Sequence, residues 1–182
     1  MKKAIGIQVI IMKGYVQVYT GNGKGKTTAA LGLALRAVGA GFKIFIGQFV
    51  KGMKYSELDS LKLLSDNITV KQYGRNVFIR NNPTEEDIQI AREGLEEIRQ
   101  VLTSGEYQLV IMDEANIATY YKLFTVDELL EVIDSKHEQT ELVITGRNAD
   151  PRIIERADLV TEMKEIKHYY ADGVNARKGI EK

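Results

Sequence analysis

The chain of 182 residues contains no cysteine. Disulfide bonds, thiolate metal sites and a cysteine nucleophile are therefore excluded. Histidine is almost as scarce: His137 and His168 are the two copies, so a zinc site is not expected. His137 lies in a polar connection and reads as solvated. An excess of charge is also missing, because 25 Lys+Arg stand against 25 Asp+Glu. Bulk charge thus gives no reason to expect nucleic acid or membrane as a partner. No apolar run reaches the roughly 20 residues that span a bilayer as a helix. The start, Met1-Lys2-Lys3 before an apolar run over 5–12, faintly resembles a signal peptide but is short and lacks an Ala-x-Ala-like cleavage site. An N-terminal extension over 1–13, an extra strand or a flap, is the expectation, with a cytoplasmic location.

What is present suits a globular protein. Hydrophobic residues make up 44% and charged residues 27%, and the length fits one domain over 1–182. The informative stretch is Tyr15-Val-Gln-Val-Tyr-Thr-Gly-Asn-Gly-Lys-Gly-Lys-Thr-Thr28, a short apolar strand running into a glycine-rich loop and then an Ala- and Leu-rich helix. This is the context of a phosphate-binding P-loop. Gly21, Gly23 and Gly25 free the backbone to turn its N–H groups inward, with Asn22, Lys24 and Thr28 completing the loop. The helix N-terminus adds positive potential, Lys26 reaches phosphate, and the Thr27 hydroxyl suits Mg²⁺. The usual pattern asks for glycine where Thr20 stands.

Strand and helix patterns then alternate. Residues 43–50 form a near-continuous apolar run, as in a parallel strand covered on both faces. Ser56 and Asp59 suit the cap of a short helix to Leu64, and 68–73 reads as a strand. After an irregular stretch over 74–83, Thr84 and Asp87 form a capping-box pattern before a helix with apolar Ile88, Ala91, Leu95, Ile98 and Leu102. Residues 108–112 predict a strand that delivers Asp113 and Glu114 at its end. Thr125 and Glu128 predict a second capping box, 141–145 a strand ending in Gly146-Arg147, Asp150-Pro151 a brief helix and 159–163 a last strand.

The alternation predicts an α/β architecture, a three-layer P-loop NTPase-like (RecA-like) fold with a mostly parallel central sheet. Ligands in such sheets bind outside the carboxyl ends of the strands. The P-loop, Asp113-Glu114 and Arg147 each follow a predicted strand and are expected on one rim. An apolar strand ending in a carboxylate is the second element of a P-loop site, where it holds Mg²⁺ directly or through water. Arg147 suits phosphate, or equally an ion pair with Asp150 or Glu155. These readings give a nucleotide-binding protein using ATP and Mg²⁺ (or Mn²⁺). They leave open an enzyme acting on ATP, including a small-molecule kinase or ATPase, and a non-catalytic nucleotide switch.

The string Thr20-Gly-Asn-Gly-Lys-Gly-Lys-Thr-Thr-Ala-Ala30 resembles the P-loop of the ATP:corrinoid adenosyltransferases of the cobalamin pathway. So do Gly47-Gln48-Phe49-Val50-Lys51-Gly52, Met112-Asp113-Glu114, Ile144-Thr145-Gly146-Arg147, the run from Ala157 to Met163, and the tail from Lys167-His168 to Glu181. The resemblance runs from about Gly14 to the end. It implies transfer of the 5′-deoxyadenosyl group of ATP to the Co(I) of cob(I)alamin or of a precursor such as cob(I)yrinic acid a,c-diamide, with triphosphate released. It further implies Lys26, Thr27, Glu114 and Arg147 as the working residues, Thr27 and Glu114 as metal ligands with Asp113 in support, a homodimer, and a reduced flavoprotein or other electron donor. Family members often carry Gly-Arg-Gly-Phe-Thr-Trp where this chain has Gly74-Arg75-Asn76-Val77-Phe78-Ile79. Val77, Phe78 and Ile79, with His168, are the implied corrinoid contacts, in a segment that lacks the family's tryptophan.

Overall fold

The computed structural model describes residues 12–77, 79 and 82–181. Six strands, β1 (Val16–Thr20), β2 (Ile44–Phe49), β3 (Ile68–Tyr73), β4 (Leu109–Asp113), β5 (Glu141–Thr145) and β6 (Leu159–Glu162), form one sheet in the order β3-β2-β4-β5-β1-β6. Every pairing is parallel. The connections carry α1 (Lys26–Gly39), α2 (Ser56–Lys62), α3 (Glu85–Ser104), α4 (Ala115–Tyr120), α5 (Val126–Asp134) and α6 (Pro151–Arg156). A 3-10 turn, Tyr169–Asp172, lies in the tail.

The period-2 alternation of the strands sorts the core into two halves. Phe45, Phe49, Val110, Met112, Leu142 and Ile144 pack with α3, α4, α5 and α6 on one face of the sheet. Ile44, Ile46, Leu109, Ile111 and Val143 pack with α1 and the buried Leu61 of α2 on the other. The result is the expected three-layer α/β sandwich, with strands apolar on both faces because helices cover both. On α1 the buried apolar positions are Ala30, Ala34 and Ala37, whose small side chains let the helix lie close to the sheet.

Both capping boxes form as the sequence indicates: Thr84 with Asp87 opens α3, and Thr125 with Glu128 opens α5. Asp150 caps α6, accepting from the Arg152 N–H, with Pro151 at the first helical position. Ser56 does not cap α2. Tyr55 is the N-cap, and Asp59 pairs with Lys54 instead. The sequence also held no signal for α4, a six-residue helix set immediately after the acidic strand end. Residues 1–11 of the expected extension lie outside the described residues. His137 is half-buried, its ring lying beside Gly105 at the end of α3. Among the described residues, no helix is long and apolar enough to cross a membrane.

Candidate nucleotide site at the carboxyl rim of the sheet

The loop between β1 and α1 is shaped by glycines with different tasks. Gly25, at φ 115°, is the N-cap of α1 and turns the chain into the helix without a side-chain cap. Gly21 and Gly23 allow a close approach, because a Cβ on either would stand 2.5 Å and 2.7 Å from the Met163 carbonyl oxygen. That approach is bonded: Met163 N–H donates to Thr20 O at 2.8 Å, and Gly23 N–H donates to Met163 O at 2.6 Å. The end of β6 thus braces the loop. Thr20, where glycine was expected, is buried and accepts the Ala149 N–H through its hydroxyl at 3.4 Å, tying the loop to the β5–α6 connection.

Lys26 opens α1 and turns its ammonium back across the loop. It donates to Gly21 O at 2.7 Å and Gly23 O at 2.8 Å. Burial lowers its pKa and the Arg147 charge acts the same way, against the raising influence of Glu114 and Asp113. Both carbonyl bonds can be exchanged for bonds to a phosphate, where donor and acceptor are both charged.

Strand parity places the next group. Gln48, Asp113 and Thr145 continue the alternation of the α1-facing residues Ile46, Ile111 and Val143, so their side chains lie on the α1 side of the sheet end. There Asp113 Oδ1 accepts from the hydroxyls of Thr27 at 2.8 Å and Thr145 at 2.7 Å. Its Oδ2 accepts from Lys51 Nζ at 2.7 Å and from Gln48 Nε2 at 3.4 Å. Burial alone would lower the Lys51 pKa, but the adjacent Asp113 carboxylate outweighs it and the net shift is upward.

Glu114 follows Asp113 in the left-handed region at φ 60° and begins α4. Its carboxylate is half-buried and makes no hydrogen bond to a described residue. Burial raises its pKa first and the Asp113 charge second, while Lys51, Lys26 and Arg147 pull it down. An acceptor-only group so placed suits a cation. The donor set of Thr27 hydroxyl and Asp113 and Glu114 carboxylates is all oxygen, as Mg²⁺ requires, and Mg²⁺ takes only one or two carboxylates beside substrate phosphates. Among the described residues no cluster of three or more His, Cys, Asp or Glu exists, so a metal held by protein alone is not indicated.

The remaining expected residues are spread along and beyond the rim. Arg147 is exposed beyond β5 and makes no ion pair with a described residue; Asp150 pairs with Arg152 instead. Val77 is exposed, Ile79 is packed against the core beside Val50, and Phe78 lies outside the described residues. His168 accepts the Tyr170 N–H through Nδ1 and lies against Tyr169, all within the tail. The residues missed from sequence are Lys51, Gln48 and Thr145. All three stand at or near the carboxyl ends of β2 and β5, inside the strings 47–52 and 144–147 already singled out, and that was the available signal. A groove of about 490 Å³ between α2 and β3 reaches this rim at Gly52 and at Gln72, whose amide donates to Gln48 Oε1.

Residues 12–181 match the model of the family described as ATP:corrinoid adenosyltransferase BtuR/CobO/CobP. The chain belongs to the ATP:corrinoid adenosyltransferase family. It is 33% identical to the corrinoid adenosyltransferase of Pseudomonas aeruginosa over 93% of this chain and 84% of that one. Against the corrinoid adenosyltransferase of Escherichia coli K12 the figures are 34%, 93% and 86%, and the corrinoid adenosyltransferase CobA of Salmonella typhimurium is 31% identical over 93% and 86%. Membership makes the chain a transferase. It does not favour the kinase, ATPase or switch readings that the P-loop alone leaves open.

Proposed function

We propose that this adenosyltransferase moves the 5′-deoxyadenosyl group of ATP onto the Co(I) of a reduced corrinoid, in the making or salvage of adenosylcobalamin. The electron pair of Co(I) forms the bond to ribose C5′. The C5′–O bond breaks, and its electrons leave with triphosphate. The observation that carries the reading is the convergence of Lys26, Thr27, Asp113 and Glu114 on one rim, in a chain of this family.

In this chemistry the protein needs no nucleophile of its own. The loop amides, the α1 N-terminus and Lys26 hold a triphosphate whose negative charge grows as the C–O bond breaks, so they act more strongly on the transition state than on bound ATP. Thr27 and Glu114 would hold Mg²⁺, with Asp113 behind them, and the ion when bound would neutralise phosphate charge. Asp113 orients the Thr27 hydroxyl by accepting its proton at 2.8 Å, leaving the oxygen lone pairs free to bind. Arg147, exposed beyond β5, is free to turn onto phosphate or corrinoid. Val77, Phe78 and Ile79, with His168, are the corrinoid contacts of this reading; Val77 is exposed and Ile79 packs against the core. The reading includes an external electron donor, such as a reduced flavoprotein, and a homodimer.

The test is an anaerobic assay with ATP, Mg²⁺ and chemically reduced Co(I) corrinoid. Absorbance should report the Co–C bond, and triphosphate should appear without ADP. ADP with phosphate, or a phosphorylated acceptor, would overturn the proposal.

A further inference from the structure

Lys51 is the basic residue most intimately placed in the site, and the phosphate chemistry above gives it no task. Its ammonium lies 2.7 Å from Asp113 Oδ2 and 3.3 Å from Thr27 Oγ1, with the side chain 15% exposed. It therefore engages two of the three oxygen groups that suit a divalent cation. The third, the Glu114 carboxylate, contributes to its electrostatic environment without a hydrogen bond.

The backbone that holds Lys51 there is not relaxed. Val50, just before it, has φ 52°, a conformation that a β-branched residue adopts only where its surroundings impose it. Those surroundings are the 74–75 connection. A Cβ on Gly52 would stand 2.2 Å from Gly74 O, and one on Gly74 would stand 2.7 Å from Lys51 N. Arg75 is anchored in turn by Asp87 through bonds of 2.7 and 2.8 Å. Two loops locked together thus aim one ammonium at Asp113 and Thr27.

We propose that Lys51 is a tethered cation that occupies the metal position of the nucleotide-free protein and gives up the Thr27 hydroxyl when a divalent ion binds. The inference rests on Thr27 and Glu114 being the metal ligands. Two adjacent carboxylates at a strand end repel one another, and an ammonium beside them balances their charge until the ion arrives with ATP. The Thr27 hydroxyl donates to Asp113 and receives Lys51 at 3.3 Å, so a divalent ion on the same oxygen would lie against the ammonium, and the two positive charges repel at that range. Lys51 and the ion compete.

The test uses the nucleotide-free full chain and Mn²⁺ as the probe, with binding followed by water-proton relaxation. Lys51→Met should bind Mn²⁺ about tenfold more tightly than the wild type, the scale of one charge-assisted hydrogen bond removed from the competitor. Lys51→Arg, which keeps the charge, should stay within about twofold of the wild type on the same scale. Equal or weaker Mn²⁺ binding by folded Lys51→Met overturns the proposal. Should Lys51→Met not fold, the ¹⁵N signal of the wild-type Lys51 ammonium, assigned by its loss in Lys51→Arg, decides. It should shift on saturation with Mg²⁺ and ATP, and an unchanged signal refutes the displacement. No corrinoid enters either measurement, so a negative result here leaves the adenosyltransferase reading standing, and the converse also holds.

Discussion

Lys26 spans the glycine-rich loop between β1 and α1, bonded to two of its carbonyls, and so keeps the loop in shape as well as giving it a charge. Lys26→Ala removes both. Turnover in the Co(I) assay should be abolished, a loss of at least about a thousandfold, as when a preorganised electrostatic group is removed from a transition state. Full activity would refute the assignment of the loop. This residue was legible from sequence because its motif is local, with strand, glycines, lysine and hydroxyl consecutive in the chain. Lys51 was not, although it follows a strand. Its partner Asp113 is 62 positions away, and no local pattern reports such a pair.

The longest helix, α3, supports two predictions at the scale of the element. Gly94 lies inside it, and alanine there would raise intrinsic helix propensity by about 1 kcal/mol. A Cβ at that position, however, would stand 2.3 Å from the Tyr73 ring. Tyr73 cannot retreat easily, since its hydroxyl bonds Glu97 at 2.9 Å and its ring packs on Phe49. Gly94→Ala should therefore destabilise the protein by about 1–3 kcal/mol in urea unfolding, the usual range for overpacking. The helix N-terminus carries the second prediction. The Arg75 guanidinium, and then the Thr84 N–H and hydroxyl, hold the Asp87 carboxyl down at about 2, below its ordinary value. A group whose folded pKa is depressed stabilises the fold above its unfolded pKa, near 3.9, and that contribution fades as the pH falls through the folded value. Asp87→Asn should thus cost about 1–2 kcal/mol at pH 6, with the gap from wild type closing between about pH 4 and 2. A gap constant across that range would show that the ion pair with Arg75 is not its source.

For the whole molecule, the α3 side of the sheet is a continuous apolar body in which Phe49 meets both Tyr73 and Phe124, with ring centroids 5.4 and 5.2 Å away. Phe124 is fully buried although it lies in the connection before α5. Phe124→Ala should cost about 3–5 kcal/mol by chemical denaturation, since no neighbouring chain can collapse into the space left between two layers. A cost below about 1 kcal/mol would mean that the layers close up, contrary to the packing described.

The sequence by itself determined the layers, the strands to within about a residue at each end, both capping boxes and the glycine-rich loop between β1 and α1. All of these depend on residues close together in the chain: apolar runs for doubly covered strands, glycines before a helix, and a Thr three positions before an acid. It also placed Asp113, Glu114 and Arg147 at strand ends, which a parallel sheet must collect on one rim. Only the tertiary structure decided what they do there. Strand parity and the sheet order β3-β2-β4-β5-β1-β6 turned Asp113 toward Thr27 and brought Lys51 and Thr145 to it from β2 and β5. The same packing explained Thr20 and the close glycines, which answer to Ala149 and to Met163 at the end of β6. Hydrogen bonds and close approaches between residues far apart in sequence depend on register and crossover, and neither is written in any local stretch of the chain.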